Sequence, residues 1–199
     1  MTKVILDTET TGIKPGHIIQ LAYLVLSPDN RVEKARNYYF MVDYISPGAV
    51  NVHGITKDKL KVLSDGNRFK HHIEEIYQDL SGRLIIAQNA SFDIRFLRKE
   101  FRDHGLDLAA AHTFCTMKYM TDIMKLPKRG GGQYKWPNQE EILTYLRIDQ
   151  GDIRALSKKF FGVQQVKGHD ARFDTAGVYC IYDYIEKQRK PLNKDVGKI

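Results

Sequence analysis

The sequence predicts an α/β fold in which a central mixed β-sheet is flanked by α-helices. Strand-like patterns occupy most of the first forty residues, a short apolar run returns at residues 84–87, and amphipathic helical patterns fill most of the rest. The chain has 199 residues, of which 42% are hydrophobic and 28% are charged. These values are typical of one globular domain rather than of a disordered chain.

The predicted strands come mostly at the start of the chain. Residues 3–7 form a short apolar run, and residues 17–26 and 31–42 flank a Pro-Asp-Asn turn at 28–30, which predicts a hairpin. Residues 84–87, Leu-Ile-Ile-Ala, form a compact apolar run that is typical of a buried strand.

The predicted helices follow the hairpin. The clearest spans about 91–104, because its phenylalanines recur at helical spacing and Gly105 follows as a stop signal. Thr116 is the predicted N-cap of another helix, which reaches Leu126 before Pro127. The other predicted helices begin at a Thr56 cap or span about 67–81, 138–147, 152–161 and 173–190.

The charge of the chain favours a polyanionic partner such as nucleic acid. The formal net charge is +7. Residues 1–124 hold 16 basic and 15 acidic side chains, whereas residues 125–199 hold 15 basic and 9 acidic ones. The basic excess therefore belongs to the last part of the chain.

Membrane and disulfide-rich classes are excluded by the sequence. An acid at position 7 interrupts any apolar signal region, and no run approaches the roughly 18 apolar residues that span a bilayer. Cys115 and Cys180 have neither zinc-site spacing nor a disulfide framework. We therefore expect a cytoplasmic protein with no membrane partner.

Two acids, Asp7 and Glu9, follow the first apolar run. Because side chains alternate along a strand, both project to the same side. Two neighbouring carboxylates repel one another unless a positive charge lies between them, and Mg²⁺ prefers carboxylate oxygens. On spacing alone, the alternative is two solvent-exposed acids at the end of a strand.

Two further acids stand at helix starts. Asp93 follows the predicted strand 84–87 where the next helix begins, and Asp174 lies early in the last helix, five residues after His169. Ligands gather at strand-to-helix junctions in open α/β sheets. The alternative for each acid is a first-turn residue that the helix dipole favours.

Together these motifs resemble those of the DEDDh 3′–5′ exonucleases, the relatives of the proofreading exonuclease subunit of bacterial DNA polymerase III. The resemblance rests on the runs Asp-Thr-Glu-Thr-Thr-Gly at 7–12, Asn-Ala-Ser-Phe-Asp at 89–93 and His-x4-Asp at 169–174. It extends to Val-His-Gly-Ile-Thr at 52–56 and Thr-Phe-Cys at 113–115, and covers residues 3 to about 185. It implies a ribonuclease H-like fold.

The resemblance also implies roles for five residues. His169 matches the general base of the family. The sister group places a tyrosine four residues before the last acid, where this chain has Asp170, so histidine is the better assignment. The four acids of the family hold two Mg²⁺ or Mn²⁺ ions, and the matching residues are Asp7, Glu9, Asp93 and Asp174.

Further candidates for substrate binding surround the acids. The backbone of Thr10, Thr11 and Gly12 is expected to approach the terminal nucleotide, although Gly12 equally suits a turn. His53 matches a family position near the scissile end, or is an ordinary turn histidine. Phe92 either stacks on a base or packs in the core of its helix.

We predict a single exonuclease domain over residues 1–190 and a short polar tail over 191–199. Residues 127–167 form an enlarged basic segment with helices, in which Lys128, Arg129 and Lys135 accompany Tyr134 and Trp136. Basic residues interleaved with aromatic ones suit a groove for single-stranded nucleic acid. The alternative is a solvated loop whose tryptophan is anchored in the core.

The sequence therefore predicts a metal-dependent 3′–5′ exonuclease that releases nucleoside 5′-monophosphates from single-stranded DNA or frayed 3′ ends. Two alternatives within the enzyme class are an RNA-trimming exonuclease and a phosphoesterase that acts on small substrates. A third is a non-catalytic nucleic-acid-binding module. A polymerase is a further candidate partner, although the short polar C-terminus favours an enzyme that acts alone.

Overall fold

The computed structural model describes residues 2–108 and 112–189, so the predicted tail at 191–199 lies outside the described residues. The strands are β1 (Lys3–Thr10), β2 (Ile18–Leu26), β3 (Val32–Tyr39), β4 (Leu84–Ala87) and β5 (His112–Cys115). The helices are α1 (Pro47–His53), α2 (Lys57–Ser64), α3 (Ile73–Leu80), α4 (Ala90–Arg102), α5 (Thr116–Met124), α6 (Gln139–Tyr145), α7 (Gln150–Phe161) and α8 (Ala171–Arg189).

The five strands form one mixed sheet in the order β3-β2-β1-β4-β5. The pairs β1–β2 and β2–β3 are antiparallel, whereas β1–β4 and β4–β5 are parallel. The predicted central mixed sheet with flanking helices is confirmed. β1 lies in the middle of the sheet, so the acids that it carries are placed between the elements on both sides.

Helices cover both faces of the sheet. On one face, Val4 and Leu6 of β1 pack in a cluster with Phe96 of α4. On the other face, Ile5 packs in a cluster with Val178 of α8. Every residue of β2 is buried, so the strand is apolar on both faces apart from Gln20 and shows no alternation.

Two elements were not predicted from the sequence. α1 has only seven residues and an apolar pattern too short to read, although Ser46 caps its start and Gly54 ends it with a φ of 71°. β5 has four residues, of which two are exposed, so it gives no buried-strand signal. The helix predicted over 67–81 is divided into a 3₁₀ turn at Phe69–His71 and α3.

The prediction that Thr116 caps a helix is wrong. Thr116 is the first residue of α5 and is fully buried against β4. Its hydroxyl donates to Oε1 of Gln88 over 2.6 Å and is therefore not available as a cap. The preceding residue, Cys115, makes no side-chain capping bond.

No helix in the ranges 2–108 and 112–189 has the length and apolar character needed to cross a bilayer.

Candidate active site

The structure brings the four predicted acids to one edge of the sheet. Asp7 and Glu9 lie in the second half of β1, and Asp93 and Asp174 lie in the first turns of α4 and α8. The closest group within the described residues joins Glu9, Asp174 and His169, whose ligand atoms all lie within 4.8 Å of one another. This grouping makes the edge a candidate cation site.

The alternation of β1 explains which acids meet. Ile5 packs towards α8, so Asp7 and Glu9, which share its parity, face the side from which α8 brings Asp174. Thr8 has the opposite parity and donates a 2.8 Å hydrogen bond to Oδ1 of Asp93 on α4. The strand therefore contacts both helices through successive side chains.

The fourth acid, Asp174, is held in place by two donors. The backbone N–H of His169 donates to its Oδ2 over 2.8 Å, and Nε2 of Gln139 donates to its Oδ1 over 3.2 Å. Burial raises the pKa of Asp174 to about 7, and the negative charge of Asp170 adds to this, while the His169 N–H opposes it. The two hydrogen bonds fix the position of the Asp174 carboxylate, but neither donor carries a positive charge to balance it.

The pKa values of the other three acids are also raised. Burial and then the charges of Asp174 and Asp170 raise the pKa of Glu9 to about 8. The pKa of Asp7 is raised well above its ordinary range by burial and then by the charge of Asp174. Burial raises the pKa of Asp93 to about 6, although the hydrogen bond from Thr8 lowers it in part.

These directions share one main physical cause, which is burial, because a buried carboxylate loses the hydration that stabilises its charge. For Asp7, Glu9 and Asp174, the charges of neighbouring carboxylates add to this effect. The carboxylates of this group fit a hard divalent cation, because such cations prefer oxygen ligands. A bound cation reverses the direction of the pKa shifts, since it favours the ionised carboxylates.

His169 precedes α8 in an unusual conformation. Its φ is 62°, in the left-handed region that few non-glycine residues occupy. The side chain is exposed, and a ring nitrogen lies close to the carboxylates of Glu9 and Asp174. An exposed imidazole in this position can take a proton from a water molecule at the site and pass it to solvent.

Sequence reasoning missed a polar network behind His169. Asp170 accepts two hydrogen bonds from the guanidinium of Arg172, of 2.9 and 2.6 Å, and one from its backbone N–H, of 3.1 Å. A fourth comes from Nε2 of Gln20, over 3.1 Å. Burial alone raises the pKa of Asp170, but the hydrogen bonds and charge of Arg172 outweigh it, so the pKa is lowered. The available signal was Gln20, a polar residue within the apolar run of β2 that pairs with Glu9 in the sheet register.

A cleft of about 620 Å³ opens beside the acids and contains Glu9 in its lining. The predicted substrate-binding residues all line this cleft: Thr10, Thr11, Gly12, His53 and Phe92. Its apolar wall includes Ile13, Tyr44 and Val52, which are more than half exposed to solvent. We call this cavity the nucleotide cleft, after the ligand that the sequence predicts for it.

The floor of the nucleotide cleft is fixed by hydrogen bonds. The hydroxyl of Thr10 donates to the carbonyl of Gly12 over 2.9 Å, and the hydroxyl of Thr11 accepts from the backbone N–H of His17 over 3.0 Å. A β-carbon at Gly12 would lie 3.3 Å from Oγ of Ser46. Gly12 therefore permits a close approach to Ser46.

His53 presents an unpaired nitrogen. Its Nδ1 accepts from the backbone N–H of Ile55 over 3.0 Å, so the neutral ring carries its proton on Nε2. That Nε2 is buried and has no hydrogen-bond partner among the described residues. Burial lowers the pKa of His53 and favours the neutral form, although a contact with the backbone of Thr10, too poor in geometry to count as a hydrogen bond, opposes this in part. A ligand oxygen in the cleft is the natural acceptor for this donor.

Phe92 packs against the core and also lines the cleft, so it is placed for both of the roles that the sequence left open. It is half-buried against the main core and lies 4.8 Å from the ring of Phe96 between centroids, and it also lines the cleft. The same helix directs Asp93 into the acid cluster, so the ring and the carboxylate sit on successive residues at the start of α4.

The segment at 127–167 contacts the sheet edge near the acids. Nε2 of Gln88 donates to the carbonyl of Pro137 over 3.1 Å, and Gln139 reaches Asp174. The alternative in which Trp136 is anchored in the core is wrong, because this side chain is 63% exposed. Its neighbour Lys135 forms an ion pair with Glu141.

Comparison with known proteins places this geometry in a family. The model of the exonuclease family named RNase_T matches residues 4–176. The chain belongs to this exonuclease family. The predicted resemblance to the DEDDh exonucleases is thereby confirmed, and the matched range contains every one of the four acids and His169.

The curated relatives of this exonuclease-family chain include subunits of a polymerase. It is 35% identical over 109 residues to the DNA polymerase III subunit epsilon of Rickettsia felis, a match that covers 50% of this chain and 44% of that protein. It is 30% identical over 137 residues to the subunit epsilon of Salmonella typhimurium, covering 64% and 53%. The chain spans about half the length of these relatives.

Solved structures of similar fold include exonucleases in complex with DNA. Escherichia coli Exonuclease I bound to a dT13 oligonucleotide superposes with a TM-score of 0.70 at 18% identity, over 96% of this chain and 42% of that one. Exonuclease X bound to 5′ overhanging duplex DNA gives a TM-score of 0.57 at 20% identity, over 92% of both chains. The predicted ribonuclease H-like fold of this exonuclease-family chain is confirmed.

Proposed function

We propose that this protein is a metal-dependent 3′–5′ exonuclease that acts on single-stranded DNA or frayed 3′ ends and releases nucleoside 5′-monophosphates. The observation that carries the proposal is the grouping of Glu9, Asp174 and His169 within 4.8 Å of one another, with Glu9 also in the lining of the nucleotide cleft. Membership of the exonuclease family supports the reaction class.

The ions in this proposal are two Mg²⁺ or Mn²⁺ ions held by the four acids, Asp7, Glu9, Asp93 and Asp174. Bound divalent cations supply charge neutralisation and a more acidic water at such a centre. Thr8 and Gln139 position two of the ligands through the hydrogen bonds described above. The raised pKa values of the free acids support the need for cations, since four buried carboxylates are otherwise too negative to ionise together.

The protein side chains perform the remaining steps. His169 accepts the proton of the attacking water, because its exposed ring lies beside the carboxylates and exchanges protons with solvent. The nucleotide cleft holds the terminal nucleotide, with its base against Phe92 and its sugar or phosphate oxygen accepting from Nε2 of His53. Arg172 lowers the pKa of Asp170 and occupies its oxygens with hydrogen bonds, so this carboxylate is a weak base and does not compete with His169.

The test is a time course on 5′-end-labelled single-stranded DNA, duplex DNA and RNA of matched sequence, with Mg²⁺, Mn²⁺ or EDTA. We expect a ladder that shortens from the 3′ end with Mg²⁺ or Mn²⁺ and no cleavage with EDTA. Asp174→Asn is expected to abolish cleavage. Asp183→Asn is the matched control, since Asp183 lies on the same helix and pairs with Lys187 at the surface.

The alternatives give different outcomes in the same experiment. Faster shortening of RNA than of DNA would assign an exoribonuclease, since only RNA offers the 2′-hydroxyl. Intact 3′ ends with both metals, together with retained DNA binding, would assign a non-catalytic binding module. A polymerase remains a proposed partner, supported by relatives named as polymerase subunits, and co-elution with a polymerase catalytic subunit tests it.

A further inference from the structure

A second cleft, distinct from the nucleotide cleft, lies between α4 and the junction of β5 with α5. Its volume is about 650 Å³. The described residues that line it include no carboxylate, and four of them are cationic: Arg95, Arg98, Arg102 and Lys118. We call this cavity the basic groove.

The cations of the basic groove form two walls. Arg95, Arg98 and Arg102 recur at helical spacing on one face of α4 and span about 10 Å along its axis, at 1.5 Å per residue. Lys118 of α5 lies across from them. All four side chains are exposed. Within residues 2–108 and 112–189, the ion pairs of the protein involve other cations, so these four carry uncompensated charge.

The basic groove is linked to the nucleotide cleft by Arg95, which lines the groove and contacts two residues of the cleft. Nη2 of Arg95 donates to the carbonyl of Ile13 over 2.9 Å, and its guanidinium lies 5.5 Å from the ring centre of Phe92. Both Ile13 and Phe92 line the nucleotide cleft. A strand that leaves the cleft past Arg95 therefore meets Arg98 and Arg102 next.

We propose that the basic groove binds the sugar-phosphate backbone of the substrate strand, on the 5′ side of the nucleotide in the cleft. This proposal rests on the proposed function and deepens it. A ligand with several phosphates in a row fits a row of exposed cations, and guanidinium groups bind phosphate oxygens in pairs. Because contacts to phosphates do not distinguish bases, the groove holds strands of any sequence.

The test compares a groove variant with a charge-matched control. The groove variant carries Arg98→Ala, Arg102→Ala and Lys118→Ala, and leaves Arg95 intact because it also contacts the nucleotide cleft. The control carries Lys61→Ala, Arg154→Ala and Lys158→Ala, three exposed cations outside the groove. Both are prepared on an Asp7→Asn background, which prevents consumption of the substrate, and binding of labelled oligonucleotides is followed by fluorescence anisotropy over a salt series.

The proposal predicts a loss that depends on length. The affinity of the groove variant for an oligonucleotide of about 16 nucleotides is expected to fall at least tenfold, with a salt slope smaller by about 2 for three lost contacts to a single strand. For an oligonucleotide of about 4 nucleotides the loss is expected to be much smaller. An equal loss in the control, an equal loss for both lengths, or an unchanged salt slope overturns the proposal.

A second measurement separates this proposal from the proposed function. Thymidine 5′-(p-nitrophenyl phosphate) has one phosphodiester and is too short to reach the groove. If the protein with its natural Asp7 leaves this ester and every DNA end intact with Mg²⁺ and Mn²⁺, the proposed function fails. If it cleaves them while the groove variant binds the long strand as tightly as the control, the groove proposal alone fails.

Discussion

The backbone N–H of His169 donates a 2.8 Å hydrogen bond to Oδ2 of Asp174, which ties the candidate general base to a candidate metal ligand. The backbone of His169 is in the left-handed region, with a φ of 62°. A β-carbon there costs about 1–2 kcal/mol. The hydrogen bond to the carboxylate helps to maintain this strained position, in which a ring nitrogen lies close to the carboxylates of Glu9 and Asp174.

His169→Ala and His169→Gly separate the role of the ring from that of the backbone. Both variants are expected to lose about 10²–10⁴-fold in rate, because both lack the proton acceptor. The glycine variant is expected to be more stable than the alanine variant by about 1 kcal/mol, since glycine adopts a positive φ without strain. Single-turnover rates and urea unfolding measure the two effects. Retention of most of the rate by either variant would contradict the assignment of His169.

The metal-free protein is expected to lose stability as the pH rises. In an unfolded chain, these carboxyl groups have pKa values of about 4. In the folded protein, the pKa values of Asp93, Asp174 and Glu9 are raised to about 6, 7 and 8. The folded state therefore binds more protons between about pH 4 and pH 8, and stability falls across that window. We expect Tm in EDTA to fall by roughly 5 °C or more from pH 5 to pH 8.

Added Mg²⁺ is expected to reverse this trend, because it binds the ionised carboxylates of the folded state. The increase in Tm on adding Mg²⁺ should be larger at pH 8 than at pH 5. Asp174→Asn removes one of the acids and should flatten the profile in EDTA, whereas Asp183→Asn should not. A metal-free Tm that rises steadily from pH 5 to pH 8 would contradict the charge assignment of the site.

The pair of Asp170 and Arg172 gives a prediction about stability. Arg172→Ala leaves Asp170 partly buried without its cation, next to other acids, and is expected to cost about 2–3 kcal/mol in the free energy of unfolding. Adding Asp170→Asn should recover much of this loss, because the unpaired charge is removed. Urea unfolding of both single variants and the double variant measures the coupling. Strictly additive losses would show that the pair does not act as a unit.

The unpaired Nε2 of His53 predicts a role in substrate binding. His53→Ala should raise KM for a DNA strand by about 10-fold or more, since a hydrogen bond to a charged group contributes about 1.5–3 kcal/mol. Val62→Ala is the control, as this apolar side chain is 81% exposed and lines neither the nucleotide cleft nor the basic groove. The kinetic measurement is made at constant salt. A His53 variant that matches the control in KM would indicate a turn residue instead.

Four of the five strands, and the shared face of Asp7 and Glu9 on β1, could be predicted because their signals are local. The apolar run of β1 and the alternation of Asp7 and Glu9 can be read within eight residues. The short elements α1 and β5 were missed, since seven and four residues leave no complete apolar period. The Gln20–Asp170 hydrogen bond joins residues 150 positions apart, and no local sequence pattern predicts a contact over that separation.

The distribution of charge along the sequence did not predict the basic groove. Residues 1–124 have almost balanced charges, so the sequence predicted a basic surface only in the last part of the chain. Folding nevertheless gathers Arg95, Arg98, Arg102 and Lys118 of that balanced region around one cavity. The net charge of a segment averages over all its faces, whereas a binding surface depends on the one face that the cations share.

The loop at 128–136 is expected to guide single-stranded DNA independently of the basic groove. Its Lys128 and Arg129 are exposed, and Tyr134 and Trp136 are 45% and 63% exposed. Replacing Lys128, Arg129 and Lys135 with alanine should weaken binding and reduce the salt slope by at most about 2, with a smaller share from Lys135 because it pairs with Glu141. Trp136→Ala should cost about 1–3 kcal/mol of binding without changing the slope, since stacking is not electrostatic.

The two kinds of substitution serve as controls for each other. A tryptophan substitution that lowers the salt slope as much as the charge substitutions do would indicate that the loop has lost its shape rather than its contacts. An unchanged slope in the charge variant would remove the loop from the binding surface. The Gln88–Pro137 hydrogen bond ties the end of the loop to the sheet edge that carries the acids, so loss of these contacts should reduce cleavage of long strands in proportion to the loss of binding.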